Sequence, residues 1–110
     1  MAITSIANGS TLLTLSSEAT LTTQTTSGVY QLVVDLSGMA SGDTIKVRVK
    51  TKYASLGTLR VALEDTYTDA QTSVPNKYSV PITVDTEIAC AVEQTAGTGK
   101  TIYWNLLKVS

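Results

Sequence analysis

Thr44-Ile45-Lys46-Val47-Arg48-Val49-Lys50-Thr51-Lys52-Tyr53 is the stretch that decides the fold. Ile45, Val47, Val49, Thr51 and Tyr53 fall on one face of an extended chain. Lys46, Arg48, Lys50 and Lys52 fall on the other. Side chains on one face of a strand recur every ~6.6 Å. Strict alternation therefore sets an apolar stripe against a core and a basic stripe toward water.

The period of two persists on both sides of this segment. Segments 11–16 and 19–25 are short and Thr-rich. Segment 29–36 places Tyr30, Leu32, Val34 and Leu36 on one side. Segment 58–65 places Leu59, Val61 and Leu63 opposite Arg60 and Glu64. Segment 77–84 is interrupted by Pro81, which suits an edge strand or a bulge. Segment 87–95 is apolar on both faces until Glu93, and in 101–109 Ile102, Trp104 and Leu106 are taken as the inner set. Turn signals separate the runs at Asn8-Gly9, Ser27-Gly28, Ser37-Gly38, Ser41-Gly42-Asp43, Gly57, Pro75-Asn76 and Gly97-Thr98-Gly99. The expectation is an all-β fold of about eight antiparallel strands in a two-sheet β-sandwich or jelly-roll-like arrangement. Residues 1–10 read as an N-terminal arm, and residues 11–110 as a single β-sandwich domain. Residues 66–76 are the longest polar connection, of the kind that often carries contacts.

Composition supports an ordered chain and narrows its chemistry. The 110 residues suit one domain with its own core. Apolar residues make up 43% and charged residues only 15%, so a disordered chain is excluded. Net charge is −1, which argues against a general polyanion binder and leaves little self-repulsion to oppose association. There is no histidine, so His-based triads and His metal sites are excluded. Cys90 is the only cysteine and sits in the apolar run Ile88-Ala89-Cys90-Ala91-Val92, where it reads as a small buried hydrophobe. The start, Met1-Ala2-Ile3-Thr4-Ser5, lacks a basic segment followed by an apolar run, so folding in a cytoplasm is expected. No apolar stretch approaches the ~20 residues of a membrane span, and no membrane partner is expected.

Two motifs resemble functional sites without meeting their requirements. Gly97-Thr98-Gly99-Lys100-Thr101 ends like a phosphate-binding loop, but Gln94 stands where the first glycine belongs and a strand follows instead of a helix. It reads as a hairpin loop. Glu64, Asp65 and Asp69 lack the alternate spacing, Gly turn and closing Glu of a calcium loop. No cofactor, metal or catalytic residue is expected, and the chain is read as a binding protein and not an enzyme. The candidate partner-binding residues are Lys46, Arg48, Lys50 and Lys52 on the basic stripe, with Tyr67 and Asp69 in the polar connection. The basic stripe would suit an acidic partner, and nucleic acid is not expected because no aromatic interleaves the cations. Trp104 and the five tyrosines could alternatively stack on sugars, although without phenylalanine they are also the only aromatic core material.

The run Gly28-Val29-Tyr30-Gln31-Leu32-Val33-Val34-Asp35-Leu36-Ser37-Gly38-Met39-Ala40-Ser41-Gly42-Asp43-Thr44-Ile45-Lys46-Val47-Arg48-Val49-Lys50 resembles a segment of small virion proteins of tailed bacteriophages. Residues 93–109, from Glu93-Gln94-Thr95-Ala96-Gly97-Thr98-Gly99-Lys100-Thr101 through Trp104, resemble their closing hairpin. The resemblance implies a capsid decoration, or cement, protein: β-rich, a homo-oligomer and specifically a trimer, located in the virion at the capsid surface, with the major capsid protein as partner. The alternative it leaves is a tail, fibre or surface carbohydrate-binding β-sandwich module.

Overall fold

The computed structural model describes residues 2–52, 54 and 57–109. It contains nine strands: β1 (Ile3–Leu12), β2 (Glu18–Gln24), β3 (Gly28–Asp35), β4 (Thr44–Lys52), β5 (Arg60–Thr68), β6 (Asn76–Tyr78), β7 (Ile82–Val84), β8 (Glu87–Ala96) and β9 (Thr101–Val109). They form two antiparallel sheets. One runs β1-β9-β3-β6, with β7 also on β3, and the other runs β2-β8-β4-β5. The fold is an all-β sandwich, as the alternation requires.

The deciding stretch behaves as its pattern predicts. Ile45, Val47 and Val49 are buried. They face Gln94, Val92 and Cys90 of β8 across the sheet. From the opposite layer, Tyr30, Leu32 and Val34 of β3 and Ile102 and Leu106 of β9 close the core, with Trp104 packed against it. Leu13, Leu36 and Met39, all from connections, plug the core at its margins. Tyr30 donates its Oη hydrogen to the Thr26 carbonyl at 2.6 Å, so its polar tip is paired. The Tyr53 placement lies outside the described residues.

Five expectations need correction. Residues 3–12 are a strand paired along the length of β9, not an arm. A register shift between Ser5 and Ala7 puts Ile6 out of step, which erased the period of two. Segment 11–16 is not a separate strand: β1 ends at Leu12 and a turn follows. The polar connection is shorter than 66–76, because β5 extends to Thr68 beside Thr44. On β5, Leu63 faces inward, but the shift between Leu63 and Val61 turns Val61 outward to 51% exposure. Finally, 97–100 is not a hairpin loop, since β8 and β9 belong to different sheets. Most consecutive strands alternate between the layers in this way; only β4–β5 and β6–β7 stay within one sheet.

Candidate functional site

The two outer faces of the sandwich differ sharply in chemistry. On the four-stranded sheet, β4 presents Lys46, Arg48, Lys50 and Lys52 together, as the alternation predicts. Four glutamates share that face: Glu18 of β2, Glu64 of β5, and Glu87 and Glu93 of β8. Arg48 Nη1 contacts Glu18 Oε2 at 2.6 Å and Glu93 Oε1 at 2.8 Å, while its Nε donates to Glu64 Oε2 at 2.6 Å. Lys50 Nζ donates to the other Glu18 oxygen, and Lys52 Nζ lies 3.9 Å from Glu87. Among the described residues, Lys46 is the one member of the stripe with no carboxylate in ion-pair contact.

This network needs small residues beneath it. Ala89 and Ala91 face outward on β8, opposite Lys50 and Arg48, yet they are only 5% and 1% exposed. The long cationic side chains lie across them and keep their heads at the surface. The charges feel one another. The Lys50 hydrogen bond, with help from Arg48, holds the Glu18 carboxyl below its ordinary value despite partial burial. The Arg48 hydrogen bond does the same for Glu64. The three carboxylates hold the Arg48 guanidinium still more firmly protonated. Three of the four cations are ion-paired with the four glutamates, so the stripe is largely neutralised within the chain.

The other two candidates also have internal roles. Tyr67 lies opposite Ile45 and packs against the core, with Lys77 Nζ 5.2 Å from its ring centroid. Asp69 adopts a positive φ of 63°. Its Oδ1 accepts from the Gly42 amide at 2.9 Å, and its own amide donates to the Asp43 carbonyl at 2.8 Å. It fastens the end of β5 to the β3–β4 crossover.

The loop that resembles a phosphate cradle is occupied by the protein itself. Asp43, 2% exposed, accepts from the Thr98 amide through Oδ1 and from the Ala40 amide through Oδ2. Gln94, fully buried, donates to the Ala96 and Thr98 carbonyls and accepts from the Lys100 amide. Gly97 has φ 91°, and a Cβ there would fall 1.9 Å from Asp43 Oδ1. The loop's amides thus point at side chains of this chain, and the two crossovers are laced together. Cys90 is fully buried, and burial pushes its thiol up to about 12. Among the described residues, no three His, Cys, Asp or Glu side chains are grouped to hold a metal ion.

Sequence reasoning did not single out the outer face of the five-stranded sheet. Register places Ile3, Ser5, Asn8, Ser10 and Leu12 of β1 on it, beside Val109, Leu107, Asn105 and Tyr103 of β9. Val29, Gln31, Val33 and Asp35 of β3 follow, then Thr83, Tyr78 and Asn76 of β7 and β6. Asp35 is the only charged residue these strands contribute to that face. Ile3, Leu12, Tyr78 and Tyr103 are 68%, 71%, 61% and 59% exposed. A shallow depression of about 170 Å³ lies there, lined by Val33, Asp35, Asn76, Tyr103, Trp104 and Asn105. Trp104 itself packs inward beside Gly9, and its Nε1 is buried without a hydrogen-bond partner among the described residues.

No protein-family model matches the chain, and no curated protein matches it. A solved structure described as "Structure of infectious bursal disease virus Gx strain" is similar at 13% identity and a TM-score of 0.49, over 96% of this chain and 31% of that one. The chain thus spans about a third of the length of that viral chain.

Proposed function

We propose that this chain is a structural virion protein, a capsid decoration or cement protein that binds the major capsid protein and stabilises the head. One observation carries the reading: one face of the sandwich is neutralised internally, while the other exposes aromatic and aliphatic side chains with a single charge. Exposed aromatic and aliphatic side chains gathered on one nearly uncharged face of a small domain mark an interaction surface. The sequence resemblance to small phage virion proteins points the same way. The contact is therefore moved from the Lys46–Lys52 stripe to the β1-β9-β3 face. Repeated copies on a shell would hold it by mass action and multivalency.

The test is to add the purified protein to shells that lack it. Decorated shells should rupture at higher temperature and survive a stronger osmotic shock. A Leu107→Glu variant should bind at least about tenfold more weakly, because a desolvated carboxylate would lack a partner. Unchanged shell stability, or undiminished binding by the folded variant, would remove the proposal.

A second reading, a carbohydrate-binding surface module, is favoured by one specific arrangement. Tyr78 and Asn105 flank Val33 in one row of the sheet, and Asn76 and Tyr103 flank Asp35 in the next. Exposed rings beside amides and a carboxylate are the chemistry of sugar stacking and hydroxyl recognition. Trp104 and Tyr67, whose exposure would have favoured this reading, pack against the core. Glycan-array binding that disappears in Tyr103→Ala, by a protein that leaves shells unaffected, would select this reading.

A further inference from the structure

The sandwich has four sheet edges, and three carry features that block edge pairing. The β6/β7 edge consists of two three-residue strands with Pro81 between them. β5 carries Arg60, Glu64 and Asp65 and a register shift. β2 begins with Glu18, which is held in the Arg48 network, and is broken at Leu21. Charges, prolines, short strands and bulges are the usual defences of an edge. β1 is different. It is ten residues long, Ile3-Thr4-Ser5-Ile6-Ala7-Asn8-Gly9-Ser10-Thr11-Leu12, with no charge and no proline, and no described strand pairs with its other side.

Its sequence is close to a palindrome in residue type. Laid antiparallel against a second copy about a two-fold axis at Asn8, with the bulged Ile6 of each copy left out of the pairing, Ile3 meets Leu12, Thr4 meets Thr11 and Ser5 meets Ser10. In a regular strand this register would fail. Each pair joins an odd to an even position, so one member would face the core and the other water. The bulge at Ile6 removes the conflict. Because it shifts the phase by one residue, Ile3, Ser5, Ser10 and Leu12 all lie on the outer face, while Thr4 and Thr11 share the inner one. The feature that hid β1 in the sequence makes it self-complementary. Ile3 and Leu12, at 68% and 71%, are the two most exposed large apolar side chains among the described residues. In this register each covers the other.

We infer that β1 is a dimerisation strand: two copies of this chain pair antiparallel through their β1 edges, in the register Ile3 to Leu12, and join their five-stranded sheets into one. A two-fold contact of this kind is isologous, so each register pair occurs twice. It replaces the three-fold association suggested by the resemblance. It stands independently of the virion reading, because it concerns only the edge and its copy.

The experiment uses the full chain and a charge pair placed at matching register positions. Native mass spectrometry and analytical ultracentrifugation should show the wild type at twice its 11.6 kDa chain mass. Ile3→Lys with Leu12→Lys sets like charges directly opposite one another at two places, and should weaken association at least about tenfold. Ile3→Lys with Leu12→Glu carries the same lysine but sets opposite charges together, and should remain a dimer. Circular dichroism on both variants checks that the sandwich is intact. A monomeric wild type overturns the inference. So does equal behaviour of the two folded variants, whether both dimerise or neither does.

Discussion

Arg48 Nη1 on β4 lies 2.6 Å from Glu18 Oε2 on β2, although β8 runs between the two strands and Ala91 stands opposite Arg48. The ion pair spans a whole strand because the intervening side chain is a methyl group. Replacing Ala91 with Leu should lift the guanidinium from the sheet and separate it from Glu18 and Glu93. Overpacking at this buried position should cost about 1–3 kcal/mol. Thermal and urea unfolding check this, and an unchanged midpoint would show that the arginine does not need the gap.

Acid should weaken the same network in a defined direction. Glu18 and Glu64 both have lowered values, the first chiefly through Lys50 and the second chiefly through Arg48. A carboxylate whose folded value is depressed contributes stability that is fully present above its unfolded value and is lost as pH falls through the folded one. Wild-type stability should therefore decline as pH drops below the ordinary glutamate range. In Arg48→Met the three glutamates repel one another at neutral pH, and protonation relieves them. The stability gap between the two proteins should be widest near neutrality and shrink in acid, as measured by urea midpoints across pH.

Gly97 should tolerate no side chain. A Cβ would collide with Asp43, and φ 91° is strained for any L-residue with a side chain. Gly97→Ala should destabilise by about 3 kcal/mol or prevent folding. Asp43→Ala tests the same lacing without backbone strain. It leaves the Ala40 and Thr98 amides without their acceptor and should cost about 1–3 kcal/mol. If Asp43→Ala matches the wild type in thermal unfolding, the crossovers are not held by this carboxylate.

Cys90 should behave as an unfolding probe. With its thiol pushed up to about 12 by burial, it stays protonated at neutral and mildly alkaline pH. A thiol reagent should label it only as the chain opens, at a rate that rises with urea in step with global unfolding. Rapid labelling of the native protein would contradict its place in the core.

What was legible in the sequence follows from which interactions are local. β4, β3 and β9 could be read because each is buried on one face, so their own alternation reports it. The paired state of the basic stripe could not be read. Glu18 and Glu93 reach Arg48 from positions 30 and 45 residues away, and only the strand order β2-β8-β4-β5 brings them together. The small residues Ala89 and Ala91 inside an otherwise bulky run were the available hint. β1 and Val61 were misread for a shared reason. A bulge changes the phase of alternation, and nothing within a single strand announces where it falls.

On the proposed function, a capsid shell is contacted through the β1-β9-β3 face and not through the lysines. Side-chain footprinting of the protein, free and bound to the major capsid shell, tests it most directly. Binding should shield Tyr103 from hydroxyl radicals while Lys46 remains open to acetylation. Shielding of Lys46 with Tyr103 still reactive would contradict the account.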